Sequence, residues 1–200
     1  MHATLHQIDG IPAPQDTSWV DDVLTCLRAR ATPAGALVTR PLGSGPGAVI
    51  AFWDNSADAA AASGGFGSGS ISVGPSQAYE VDVRKGGMSA ATPPRFLQLL
   101  RFDGPRSPEW LAAYRRSGEE RIWPAVRDLP GLVDHVGGTA ADGACFSAGS
   151  AESVEAFESA ERAIFSTELL PWEEPANLTG PDSFVIMRLM HADVPVGADR

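Results

Sequence analysis

Four histidines, at positions 2, 6, 135 and 191, are the side chains of this sequence that titrate nearest neutral pH. His6 and His135 fall on predicted strands, where each could point into a pocket as a general base. A hydrogen-bonded core or rim histidine is the commoner fate of such a residue. The other reactive groups gather on one predicted helix, as Tyr114, Arg115, Glu119 and Arg121, with Trp123 as a wall beside them. Arg121 lies next to the apolar stripe of that helix, so its guanidinium could hold a phenolate or a carboxylate. The same arginine and its glutamate neighbours would also suit a solvated, salt-bridged face. Arg121, His135 and Tyr114 are therefore the candidate catalytic residues. Trp53, Trp123 and Glu119 are the candidate substrate-binding residues. No HExxH, Ser-His-Asp order or paired-carboxylate motif is apparent, although spacing alone does not exclude a triad. Cys26 and Cys145 have no metal-ligand spacing and read as buried thiols, so no metal site is expected.

The elements that must position these groups follow from pattern. Phe96–Phe102 is an apolar run broken by Gln98 and Arg101, which suits a strand buried on most of both faces. Asp103-Gly104-Pro105 ends it, and Ser107-Pro108-Glu109 opens a helix: Ser can cap, Pro tolerates the first position, and Glu favours the positive end. That helix is expected to run from Pro108 to about Asp128, with Leu111, Tyr114, Gly118 and Ile122 on its inner stripe, and to stop at Leu129-Pro130-Gly131. Strands are expected over Thr4–Ile8, Ala36–Thr39, Ala48–Trp53, Gln77–Arg84, Leu132–Val136, Ala144–Ala148 and Phe184–Met190. Helices are expected from Trp19 to about Ala31, briefly after Ser56-Ala57-Asp58, and from Ser150-Ala151-Glu152 to about Leu170. Ser63–Gly74, SGGFGSGSISVG, reads as a mobile surface loop rather than a phosphate loop, because it lacks the terminal Lys-Ser or Lys-Thr. Pro171–Pro181 reads as an irregular loop, and the tail from Asp193 as frayed.

Two hundred residues with 44% hydrophobic content can bury a real core. A formal charge of -10 argues against a nucleic-acid partner, which would need clustered cations. Of the basic residues only Lys85 is a lysine, an arginine bias that suggests a GC-rich bacterial genome. The opening MHATLHQIDG has no basic segment followed by a long apolar run, so no signal peptide or membrane span is expected and a cytoplasmic place is inferred.

Each half reads strand, helix, strand, strand, helix, strand. Ile8-Asp9-Gly10 matches Phe102-Asp103-Gly104, Trp19 matches Trp110, Gly47-Ala48 matches Gly143-Ala144, and Ser56-Ala57-Asp58 matches Ser150-Ala151-Glu152. The shared order implies an α+β chain of two tandem ferredoxin-like βαββαβ units, over 1–88 and 95–200 with a linker at 89–94.

In Phe52-Trp53-Asp54-Asn55-Ser56-Ala57-Asp58-Ala59 the chain resembles the dimeric α/β-barrel superfamily, in particular the antibiotic-biosynthesis monooxygenase proteins, with their strand-end Trp and Ser-capped second helix. Ala125-Val126-Arg127-Asp128-Leu129-Pro130-Gly131-Leu132 looks like that family's first helix and its Pro-Gly exit. The resemblance implies that two fused units form an intramolecular α/β barrel, with an apolar pocket between sheet and helices. Cofactor-independent members oxidise polycyclic phenols or quinols that activate oxygen themselves, so the expectation is a monooxygenase for an aromatic polyketide or quinol-like molecule. Haem-degrading members ligate iron through a His on the second helix. Neither Ser56–Gly74 nor Ser150–Leu170 contains a His, so no cofactor is expected. The competing reading is a non-catalytic barrel that binds a small hydrophobic ligand or is simply filled, because fold does not determine function. A homodimer is possible on either reading.

Overall fold

The structure, a computed structural model, describes residues 1–175 and 178–194. Residues 195–200 of the expected frayed tail, and 176–177 of the expected irregular loop, lie outside the described residues. The chain forms two compact units. One comprises Met1–Asp82 and the chain from Ile186; the other is Val83–Val185.

The first unit contains β1 (His2–Asp9), α1 (Ser18–Arg28), β2 (Gly35–Pro41), β3 (Gly47–Trp53), α2 (Ser56–Ala62), β4 (Phe66–Ser68), β5 (Ile71–Val73) and the start of β6 (Ala78–Gly86). β1 runs antiparallel to β3, with His6 opposite Val49 and Thr4 opposite Ala51. β2 flanks β3, and Ala78–Glu80 of β6 flank β1. This strand order, β2-β3-β1-β6, is that of a ferredoxin-like βαββαβ unit. From Ile186 onward, β10 (Ser183–Asp193) extends the sheet beyond β2.

The cause is visible in the residues. All seven of GAVIAFW in β3 are buried, as a strand covered on both faces requires. On α1 the apolar positions Trp19, Val20, Val23, Leu24 and Leu27 form one buried stripe. Each such side chain stabilises the fold by about 1.5–3 kcal/mol. Ser63–Gly74 is not the loop expected from its composition, because it holds the β4–β5 hairpin. Phe66, Ile71 and Val73 pack on the core of this unit, and that burial outweighs the preference of the surrounding glycines and serines for irregular chain.

The second unit contains the end of β6, β7 (Phe96–Phe102), α3 (Pro108–Ser117), α4 (Trp123–Val126), β8 (Leu132–Ala140), β9 (Cys145–Ala151), α5 (Val154–Phe165) and the start of β10. β9 lies antiparallel between β7 and β8, with Ser147 opposite both Leu100 and Gly137. β10 flanks β7, so Leu99 and Val185 share this sheet, as the βαββαβ reading requires. Ser107 caps α3 as expected, its Oγ accepting from the Trp110 N–H at 3.2 Å.

The long helix expected over Pro108–Asp128 is interrupted by a π-helical turn over Gly118–Ile122. Pro124 has no N–H to give a carbonyl one turn earlier, and its ring would strike that carbonyl. Widening the preceding turn, with the Trp123 N–H reaching back to the Gly118 carbonyl, is how the chain passes this proline. Helix starts also differ from expectation. Asn55 caps α2 and Ser153 caps α5, so Gly47, opposite Ile8, takes the register place that Cys145, opposite Phe102, takes in the second unit. The sequence matches between Gly47 and Gly143, and between Ser56 and Ser150, are offset from this register.

Candidate functional site

The helix-facing side of each sheet can be followed position by position. In the first unit Thr4, His6, Ile8, Val49, Ala51 and Trp53 on this face are each 0% exposed. In the second unit the places corresponding by register to Thr4, His6, Val49 and Ala51 hold Gln98, Leu100, Ser147 and Gly149, and all four are half-buried. His135, opposite Gly149 on β8, is half-buried too. That this is the helix side follows from Gln98, whose Nε2 donates to Glu161 Oε1 on α5 at 3.2 Å. It also follows from Gly149, whose absent Cβ would stand 3.7 Å from the Phe157 ring. One unit fills this layer with side chains, whereas the other leaves a polar strip partly open.

His135 is the chemical centre of that strip. Its Nε2 lies 2.8 Å from the Ser147 Oγ, a contact that either imidazole tautomer can make because the hydroxyl rotates. Burial pushes its pKa down to about 4, and the Lys85 ammonium adds to the effect. The ring is therefore neutral at physiological pH, with one nitrogen carrying a lone pair.

Arg121 sits elsewhere in the network. Its Nε donates to both oxygens of Glu173, at 2.9 and 2.8 Å, and its Nη1 donates to Thr167 Oγ1 at 3.1 Å. The Glu173 side chain is 0% exposed and also accepts from the Ser117 hydroxyl and, at 2.8 Å, from the Leu170 N–H. Burial alone would raise the Glu173 pKa, but Ser117, Leu170 and Arg121 outweigh it and hold the carboxyl below its usual range. Arg121 makes these contacts from within the π-helical turn over Gly118–Ile122.

The remaining candidates are dispersed. Tyr114 stacks on Trp110 at 5.2 Å between centroids and meets the Phe102 ring edge-on at 5.0 Å. Arg115 donates to Thr139 Oγ1 on β8 at 3.0 Å. Trp123 is half-buried at the start of α4, and Glu119 is exposed and paired with Lys85 at 3.0 Å. Trp53 belongs to the core of the first unit, its Nε1 donating to Thr4 Oγ1 at 3.1 Å. Sequence reasoning missed Ser147, Glu173 and the Gln98–Glu161 pair. Only the polar break at Gln98 within an apolar strand gave any signal. An open depression of about 530 Å³ at the start of α5, lined by Arg95, Gly131, Glu152 and Ser153 among others, collects none of the candidates. Among the described residues no group of three or more His, Cys, Asp or Glu is placed to hold a metal ion, and no helix is long and apolar enough to cross a membrane.

No family model and no curated protein matches this sequence. Solved structures do match across nearly the whole chain. An anthrone oxidase-like protein superposes with a TM-score of 0.54 at 14% identity, covering 100% of this chain and 97% of its own. A candidate monooxygenase from Fusobacterium nucleatum gives 0.57 at 9% identity, covering 94% and 91%. A monooxygenase-like protein from Listeria innocua gives 0.50 at 10% identity, covering 94% of each. The fold is the ferredoxin-like one of monooxygenase-like proteins. At these identities the likeness establishes the fold, which is the one expected from the Trp53 and Pro130-Gly131 motifs, and leaves activity to the site.

Proposed function

We propose that the second ferredoxin-like unit binds a flat aromatic substrate bearing an acidic C–H or O–H and oxidises it with molecular oxygen, without a cofactor. The observation that carries this reading is the half-open strip around a neutral His135, at the positions where the first unit is filled. Such a strip offers apolar surface from Leu100, hydrogen-bonding groups from Ser147 and Gln98, and a base.

For an anthrone-type substrate, His135 takes a proton from the ring methylene. The resulting carbanion gives one electron to oxygen, and the two radicals join as a peroxide anion that recovers the proton. Loss of water then leaves the ketone, so one methylene and one O₂ become one carbonyl and one H₂O. A base with a pKa near 4 is weak in isolation. The substrate anion forming beside the imidazolium offsets the desolvation that depresses it, so its effective basicity rises at the moment of transfer.

The test is oxygen uptake by the purified protein with anthrone, and with a quinol. Uptake that is stoichiometric with ketone formation and lost in His135→Gln supports the proposal. Uptake equal to the uncatalysed rate removes it. The second reading, a non-catalytic barrel, draws its support from the first unit, where Thr4, His6, Ile8, Val49, Ala51 and Trp53 on the helix face are each 0% exposed.

A further inference from the structure

We infer that Ser166–Pro175 is a strap across the open end of the cleft between α3 and α5, and that the buried Arg121–Glu173 pair is its latch. The inference rests on the reading of the His135 strip as the reactive surface.

At one end the two helical arms meet directly, since α4 packs on α5 and the Cβ missing at Gly131 would lie 3.0 Å from the Ala156 Cβ. At the other end α5 stops at Phe165, and the chain turns back on itself to reach the middle of the opposite arm. There it is held twice. On the inner side Glu173 takes hydrogen bonds from Ser117 and Arg121, and Arg121 also holds Thr167. On the outer side the Trp172 ring lies under the Arg116 guanidinium at 4.2 Å, and its Nε1 donates to Glu120 Oε2 at 3.0 Å.

The strap thus joins the C-terminal end of α5 to the π-helical turn. The half-buried Leu100, Ser147 and His135 lie on the sheet face that these two arms cover. Three hydrogen bonds from the opposite arm to one carboxylate, with a fourth from the Leu170 N–H within the strap, give the latch its specificity. A buried carboxylate without them would be strongly disfavoured, so strap and latch form or fail together. Among the described residues, Phe165 and Leu169 are large apolar side chains left exposed at the start of the strap. Arg121 is accordingly a positioning residue, which sets when the strip is open.

The experiment measures access without assuming a substrate. Wild type, Glu173→Gln and Trp172→Ala are treated with diethylpyrocarbonate, and acylation of each histidine is followed by peptide mass. In parallel, a glutamate-specific protease reports strap mobility through cleavage after Glu168. Both variants are expected to speed cleavage and His135 acylation about tenfold by favouring local opening. His6, at 0% exposure, should stay protected and so reports intact folding. Faster cleavage with unchanged His135 acylation overturns the gate, and unchanged cleavage overturns the latch. If Glu173→Gln unfolds and exposes His6, Trp172→Ala decides, because it leaves the buried pair intact. Anthrone oxidation is assayed alongside. Its absence from all three proteins would remove the proposed activity while the acylation rates still judge the strap.

Discussion

Ser147 and His135 stand on neighbouring strands at diagonal positions of the register, and the Ser147 Oγ lies 2.8 Å from the His135 Nε2. A serine on the same sheet face is therefore the group that orients the imidazole. His135→Gln is expected to lower kcat/KM for anthrone by about 100-fold or more, the usual contribution of a positioned base. Ser147→Ala should cost about tenfold, through misorientation alone. Because the imidazole stays neutral until about pH 4, this group should leave the rate flat from pH 6 to 8 and depress it only as pH falls towards 4. An inflection near 6.5 in the kcat/KM profile would mean that a different base acts.

The same residue makes stability depend on pH. Its pKa is about 4 in the folded chain against 6.5 for an unperturbed histidine, so the unfolded chain binds the proton more tightly. The stabilising contribution is complete above pH 6.5, falls as pH drops through that value, and is gone once pH passes below the folded pKa. The difference amounts to about 3 kcal/mol. Urea denaturation of wild type and His135→Gln between pH 7.5 and 4 should show a slope that the variant lacks in part.

Glu173→Gln leaves Arg121 as a buried cation whose partner can no longer neutralise it. Losing one member of a buried pair typically costs about 3–5 kcal/mol. The thermal midpoint should drop by several degrees, whereas Glu119→Gln, which breaks only an exposed pair with Lys85, should move it hardly at all. Equal effects from the two substitutions would show that the Glu173 network contributes no more than a surface contact.

Gly10 links β1 to the β4–β5 hairpin. Its φ is +73°, and a Cβ there would run into the Ser70 backbone carbonyl. Gly10→Ala should destabilise the chain by about 2 kcal/mol, from the left-handed backbone and the displaced hairpin together. Hydrogen exchange at Ile71–Val73 should rise in the variant if the hairpin is what moves.

Much of the frame was legible because it rests on local signals. The Ser107-Pro108 start, the apolar run of β3 and the stripe of α1 each identify their element without help from distant residues. The β4–β5 hairpin was hidden, since three apolar residues among glycines and serines acquire meaning only when a core is there to receive them. The π-helical turn was hidden for another reason. Pro124 announces that something must yield, and whether the helix breaks, kinks or widens depends on what packs around it. At the site, His135 was found by its chemistry, whereas its partner Ser147 depends on a register that sequence does not give. Arg121 was singled out for its place beside the stripe, but the carboxylate that holds it lies 52 residues further along. Trp53 drew notice as a strand-end aromatic, and the burial that places it in the core is a tertiary property.

The division of β10 has a consequence for biosynthesis. Its first three residues belong to the second unit, and its continuation from Ile186 is the strand that flanks β2 in the first. The first unit, although its own strands β1 to β3 are made early in this sequence, stays one strand short until the stretch from Ile186 to Asp193 has followed. Until then the backbone groups along Ala36–Pro41 that pair with β10 are an open strand edge, the kind of surface on which a nascent chain is most exposed to aggregation.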